Sequence, residues 1–189
     1  MAITASAVQE LRKITSAGMM ACKKALTETN GDMDAAIKLL REKGDAKRSD
    51  RADRETSEGV TCAYVSECGS TGLLLAVNCE TDFVAKNEGF QSFVAEITKA
   101  VAEGGATDID SALAVSFGEE TVEKAFGAKF AELGEVIKIG QLARFSNENT
   151  AVTSYIHMGG KVGVLVEFGI GNAATRRRRR IRIESHSTW

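Results

Sequence analysis

The feature of this sequence that most limits its fold is a charged stretch, DAKRSDRADRETSEG, at residues 45–59. It has almost no apolar side chain, so it is typical of a solvated helix or a linker and cannot lie in a core. Before it, apolar residues recur at helical spacing, whereas after it they form short runs typical of strands. The sequence therefore predicts two modules, with a boundary near Glu55.

The residues before the boundary predict three short helices. Thr4 fits the cap of the first helix, and Gly18 fits its end. Asp32 or Asn30 fits the cap of the third helix, which Gly44 would end. A helical unit of this size is marginally stable on its own.

The residues after the boundary predict an antiparallel sheet with helices. The stretch VTCAYVSECGSTGLLLAVNC is typical of a hairpin, and a helix follows from about Asn87 to Glu103. After a short helix and a longer one come three runs, EVIKIGQLARFS, TAVTSYIHM and KVGVLVEFGI, which predict a meander of three strands. The fold class is therefore α+β, with antiparallel sheets and helices on one face. The run KVGVLVEFGI is apolar on both faces and needs cover, so we expect an open face prone to self-association.

Composition limits the functions that this chain can have. It has no run of 18 apolar residues and no secretory signal, and its four cysteines lack C-x-x-C spacing, so we expect a cytoplasmic protein without a membrane partner. Residues 173–189 hold six arginines and one glutamate, which leaves 18 basic and 25 acidic residues and a net charge of −7 in the remainder. An acidic body argues against a nucleic-acid binder, although the basic tail alone would favour one.

Residues for catalysis are scarce. A pairing of Cys79 with His157 would suit thiol chemistry, but a lone histidine at a strand end is usually just exposed. Asp32 and Asp34 resemble the start of a calcium loop that lacks its later ligands. No phosphate-binding glycine motif is present. We therefore expect no enzyme activity, no cofactor and no metal site.

Two short stretches carry apolar residues where polar ones are usual, and each allows two interpretations. Met19 and Met20 point about 100° apart on a helix, so both are hard to bury; they form either core or a partner surface. Phe83 follows Asp82 at a strand-to-helix turn. Either Asp82 caps the helix and Phe83 enters the core, or Phe83 is an anchor for a partner's pocket.

Two long motifs resemble the signatures of the bacterial elongation factor Ts family. They are LRKITSAGMMACKKAL, residues 11–26, and VNCETDFVAK, residues 77–86; SYIHMGGKVGVLV is similar to the second half of the family's core. Ala76 and Ala21 depart from the usual pattern. The resemblance implies a ubiquitin-associated-like helical module with its linker over residues 1–54, the first half of the core over 55–140 and the start of the second half over 141–172.

The resemblance implies guanine-nucleotide exchange on elongation factor Tu, a translational GTPase. It implies that the turn Thr81, Asp82, Phe83 and Val84 disturbs the partner's Mg²⁺ and phosphate site. The same resemblance implies contacts with the partner from two further places, which comprise Arg12, Met19, Met20, Lys23 and His157.

The resemblance stops near Asn172, which suggests a truncation or a different reading frame. We expect residues 173–189 to be disordered and unrelated to the family, so that their removal leaves exchange unchanged. Three other functions stay open: a ubiquitin-associated-like helical adaptor, a nucleic-acid binder that acts through the arginines, and a thiol enzyme. We expect no specific nucleic acid as a partner. The sequence does not fix the oligomeric state.

Overall fold

The structure, a computed structural model, describes residues 3–15, 17–50, 54–169 and 178–185. It divides into two compact units, residues 1–54 with 124–136 and residues 55–123 with 137–189. Within the described ranges, no helix has the length and the apolar character needed to cross a membrane. Helices followed by antiparallel sheets and further helices confirm the predicted α+β class.

The first unit begins with three helices, α1 (Ala5–Thr15), α2 (Met19–Glu28) and α3 (Met33–Asp50). Their shared core is small and aliphatic, since each helix contributes only a few apolar residues. Its buried members are Val8, Leu11, Ala17, Cys22, Ala25, Leu26 and Ala36. At roughly 25 cal/mol per Å² of apolar area, a core of this size leaves a modest stability margin.

Of three predicted helix ends, the two N-terminal caps are confirmed and the C-terminal end is wrong. The Thr4 hydroxyl accepts a hydrogen bond from Ala7 N at 3.2 Å, and Asp32 Oδ1 accepts one from Ala35 N at 3.0 Å, so both predicted caps are confirmed. The expectation that Gly44 ends α3 is wrong. The helix continues through Gly44 into the charged stretch, because a solvated helix needs no apolar residues to extend.

The second unit contains two three-stranded antiparallel sheets. The first sheet contains residues 58–65, 71–79 and 138–146 in that spatial order, and the second contains residues 150–157, 162–169 and 178–184 in that order. The strands are β1 (Glu58–Val65), β2 (Thr71–Cys79), β3 (Ser116–Phe117), β4 (Glu120–Thr121), β5 (Lys138–Ser146), β6 (Thr150–His157), β7 (Val162–Gly169) and β8 (Arg178–Glu184). The helices that follow β2 are α4 (Asp82–Ala85), α5 (Glu88–Glu103), α6 (Ile109–Ala114) and α7 (Val122–Leu133), and a 3₁₀ turn covers Met158–Gly160. From residue 124 onward, α7 belongs to the first unit.

The predicted meander of three strands is wrong in its first member. β5 pairs with β2, with Leu75 opposite Leu142, and β6 pairs with β7. β5 therefore completes the first sheet, and a boundary at residue 140 would cut through it. The sequence could not show this, since strand pairing across more than 60 residues depends on which apolar faces bury one another.

The central strand of the first sheet, β2, is buried on both faces. Leu74 and Ala76 of β2 pack with Val152 and Leu165 of the second sheet, and the alternate residues of β2 face the side on which α5 packs. The expectation that helices cover one face is thus correct, and the second sheet covers the other. Two glycines allow the sheets to approach. A Cβ at Gly72 would lie 2.4 Å from Val152 Cγ1, and one at Gly163 would lie 2.6 Å from Thr61 Cγ2.

The expectation that the arginine-rich tail is disordered is wrong for its described part, residues 178–185. β8 pairs with β7 along its whole length, with Ile181 opposite Leu165. The alternation of arginine and isoleucine places Ile183 in the core between the sheets while neighbouring arginines stay exposed. The other residues of the predicted tail, 173–177 and 186–189, lie outside the described residues.

Candidate functional site

The turn after β2, residues 81–84, is fixed by local hydrogen bonds. The Thr81 hydroxyl accepts from Val84 N at 3.4 Å, so Thr81, and not Asp82, caps α4. Val84 and Ala85 are buried beneath the turn. Gln91 Nε2 donates to Ala85 O at 3.0 Å, which ties the end of α4 to α5. The conformation of the turn is therefore fixed by hydrogen bonds and by buried side chains.

Phe83 is the exposed residue of this turn. Its side chain is 83% exposed, although its neighbours Val84 and Ala85 are buried. Between the two interpretations of the sequence, the structure rejects the one in which Phe83 enters the core. A large apolar ring held away from the core on a fixed turn is available for contact with another molecule.

Asp82 lies beside Phe83 and forms an ion pair with Lys86, with 2.6 Å between Asp82 Oδ2 and Lys86 Nζ. The hydrogen bond from Lys86 lowers the pKa of Asp82, and the same bond raises the pKa of Lys86. Both groups are therefore charged at neutral pH. Sequence reasoning missed Lys86, although its i,i+4 spacing from Asp82 was a signal for the pair.

The predicted contact residues of the helical module are all exposed. Arg12 lies near the end of α1, while Met19, Met20 and Lys23 lie on the first turns of α2. Met20 is 74% exposed, which excludes the interpretation of the paired methionines as core. We call these four residues the α1–α2 surface.

Ile14 belongs beside this surface and was missed. It is 57% exposed in the last turn of α1, whereas Val8 and Leu11 of the same helix are buried. The signal was present in the sequence, because six helical steps rotate Ile14 by about 120° from Val8 and so away from the core.

His157 lies elsewhere, at the end of β6. It is exposed, and its Nδ1 is 3.1 Å from the Tyr155 hydroxyl, with the two ring centroids 5.8 Å apart. Cys79, its partner in the thiol alternative, is fully buried and donates to Thr81 O at 3.2 Å. A thiol buried in this way supports the turn and is not open to a substrate.

Comparison with known proteins agrees with these features. The family model for elongation factor Ts matches residues 80–182, more than half of the chain. The chain is 46% identical over 166 residues to elongation factor Ts of Clostridium acetobutylicum, which covers 87% of this chain and 54% of that relative. It is 45% identical over 170 residues to that of Trichlorobacter lovleyi and 43% identical over 176 residues to that of Chlorobium phaeobacteroides, with 88% and 91% of this chain covered and 55% and 61% of those relatives.

The chain belongs to the elongation factor Ts family. It spans about half the length of the curated relatives that it matches. The family match ends at residue 182 and so includes most of β8, ten residues beyond Asn172. The expectation that residues after Asn172 are unrelated to the family is therefore wrong as far as residue 182.

Proposed function

We propose that this chain promotes the release of GDP from elongation factor Tu, a partner that the family implies. In this proposal the turn at residues 81–84 contacts the GTPase near its nucleotide site and disturbs the Mg²⁺ and phosphate contacts there. The single observation that carries the proposal is the exposed Phe83 on a turn whose other residues are buried or hydrogen-bonded.

A fixed turn suits insertion into a partner better than a mobile one. Ordering a loop costs about 1–2 kcal/mol per residue of backbone, and here Thr81, Val84 and Gln91 have already ordered it. More of the energy of burying Phe83 then remains for displacing groups on the partner. Large buried side chains at interfaces contribute about 2 kcal/mol or more when they act as anchors.

Thermodynamic linkage explains how binding at one place releases a ligand at another. A nucleotide held at nanomolar affinity is bound by about −12 kcal/mol. If the factor lowers the affinity of the GTPase for its nucleotide by a given ratio, the nucleotide lowers the affinity of the GTPase for the factor by the same ratio. Mg²⁺ is a sensitive point, since it demands near-ideal octahedral geometry and small displacements of its ligands are costly. No bond chemistry is needed, so we propose a factor without enzyme activity that works in the cytoplasm.

Two further places would add affinity. The α1–α2 surface offers exposed methionines with cationic neighbours, a combination that suits an adaptable protein interface. His157 would contribute from β6. We propose that these residues provide binding and that Phe83 with Asp82 provides the disturbance of the nucleotide site.

The proposal is tested by the rate at which a fluorescent GDP analogue leaves elongation factor Tu with and without this chain. An exchange factor increases the rate in proportion to its concentration until the complex saturates. A rate that stays at its spontaneous value, while the folded chain binds the GTPase, would contradict the proposal.

A further inference from the structure

The second sheet has an outer face that points away from the first sheet. Strand alternation places Val164, Val166 and Phe168 of β7 on it, since Leu165 and Gly163 point inward. Direct pairing adds Tyr155 opposite Val164 on β6 and Arg182 opposite Val164 on β8. We call this surface the outer face; its central members are Tyr155, His157, Val164, Val166, Phe168, Arg180 and Arg182.

The outer face carries two exposed aromatic side chains. Tyr155 is 62% exposed and lies against the His157 ring, and Phe168 is 36% exposed. Phe168 is four residues from Val164 along β7, so it lies about 13 Å from the level of Tyr155. Stacked bases lie about 3.4 Å apart in one strand, so the rings can receive different bases of the same strand.

The arginines lie along the β8 side of the same face. Arg180 is opposite Val166 and exposed, and Arg182 is opposite Val164 and pairs with Glu184. Arg179 points the other way, with its guanidinium 5.0 Å from the Phe145 ring centroid and 3.6 Å from Glu167. The alternation thus separates arginines used within the fold from those presented outward.

We infer that the outer face binds single-stranded RNA without sequence specificity. Aromatic side chains supply stacking surfaces for bases, and a row of arginines supplies contacts for the phosphates. The Tyr155 hydroxyl and the His157 imidazole are polar groups that can hydrogen-bond a ribose 2′-hydroxyl, which DNA lacks. This inference uses neither Phe83 nor the α1–α2 surface, and it shares only His157 with the proposed contacts on elongation factor Tu. Its tests are therefore made at Tyr155 and Arg180.

The acidic balance of the remaining chain does not oppose this site. At physiological salt the Debye length is about 8 Å, so charges on the outer face act on a ligand mainly over that range. Among the outer-face residues whose side chains are described, the positive charges are those of Arg180 and Arg182, and the negative charge is that of Glu184. A protein partner of the same face would need acidic groups opposite the arginines, whereas a nucleic acid supplies a phosphate at every residue.

The first test is fluorescence anisotropy of a labelled oligouridylate of about ten nucleotides with the full chain at about 50 mM salt. Tyr155→Leu removes the stacking ring at an exposed position and should weaken binding about tenfold. Tyr155→Phe keeps the ring and should lose only the part of the affinity that the hydroxyl contributes. Phe83→Leu is the matched control, since Phe83 is an exposed ring elsewhere, and it should leave the affinity unchanged. Circular dichroism of each variant establishes that it is folded.

The second test uses charge. Arg180→Gln should reduce the steepness of log affinity against log salt by about 0.7, the change expected for one phosphate of a single strand. Lys13→Gln, an exposed cation on α1, should leave the slope unchanged.

Four results would overturn the inference. These are no oligouridylate binding at low salt, equal loss in the Phe83→Leu control, equal affinity for an oligothymidylate of the same length, and a dimer in gel filtration that Tyr155→Glu dissociates while no RNA binds. The last result would assign the outer face to a second copy of this chain.

Discussion

Ser185 Oγ donates to Gly59 O at 3.1 Å, and so joins the residue after the last strand to the first strand. Ser185 is fully buried, and its hydroxyl also lies 3.0 Å from Gly160 O. A Cβ at Gly59 would lie 2.9 Å from Ser185 O, so the two chain segments approach closely there. The residues after Asn172 that the structure describes are thus part of the second unit.

Deleting residues 178–189 should therefore destabilise the second unit, although the sequence alone predicted that removing the tail leaves exchange unchanged. The deletion removes Ile183 from the core and leaves Leu165 without its neighbour on β8. Ile183→Ala alone should cost about 2–5 kcal/mol of the free energy of unfolding, measured by urea denaturation. Deletion of residues 186–189 is the control. Equal urea midpoints for all three chains would show that β8 adds nothing to the fold.

The thiol of Cys68 should react faster than the other thiols at neutral pH. It is exposed in the β1–β2 turn, and hydrogen bonds from the Ser66 and Ser70 hydroxyls lower its pKa to about 7. Burial raises the pKa of Cys62, which serves as the internal control. Alkylation with iodoacetamide, followed by mass spectrometry across pH, should show a midpoint near pH 7 at Cys68 that Ser66→Ala moves upward. A midpoint unchanged by Ser66→Ala would remove the hydroxyl as its cause.

Lys86→Met should raise the pKa of Asp82 toward the ordinary value of an aspartate. The hydrogen bond from Lys86 is the main cause of the lowered pKa of Asp82. The ion pair therefore stabilises the fold at pH values above the ordinary pKa of an aspartate, and this stabilisation is lost as the pH falls through the lowered pKa. Carbon-detected NMR titration of the Asp82 carboxyl measures this directly. Lys99→Met, which removes a different ion pair, the one with Glu103, should leave the pKa of Asp82 unchanged. An unchanged titration in Lys86→Met would show that the pair does not persist in solution.

Local chemistry made parts of the fold predictable. The caps at Thr4 and Asp32 follow from side chains that accept backbone N–H groups two or three residues later. Helical geometry indicated that Met19 and Met20 are not both buried, and the structure shows that both are exposed. Phe83 was undecided by composition, and the structure decides it because the side chain is 83% exposed.

Long-range pairing was not predictable from the residues alone. β5 joins β2 and not β6, a choice set by which apolar faces meet. The five consecutive arginines suggested a chain that resists packing, yet the isoleucines Ile181 and Ile183 pack in alternation with arginines. An alternating pattern of period two was the available signal, and the charge of the run obscured it.

Met20→Asp should weaken binding to elongation factor Tu without changing the second unit. Met20 is exposed, so the substitution costs little folding energy, but it places a charge within the proposed interface. Titration by calorimetry should show at least about a tenfold loss of affinity. Lys38→Asp, at an exposed position on α3 and not on α1 or α2, is the control. Equal affinities for Met20→Asp and the parent chain would remove the α1–α2 surface from the interface.

The most direct test of the proposed function compares the rate of GDP release from elongation factor Tu in the presence of the Phe83→Ala variant with the rate in the presence of the parent chain. Phe83 is 83% exposed, so its removal should change the urea midpoint little. We predict that stimulated release falls by at least about tenfold, because the loss of an anchor residue costs about 2 kcal/mol or more at an interface. A folded Phe83→Ala chain that stimulates release at the parent rate would contradict the account.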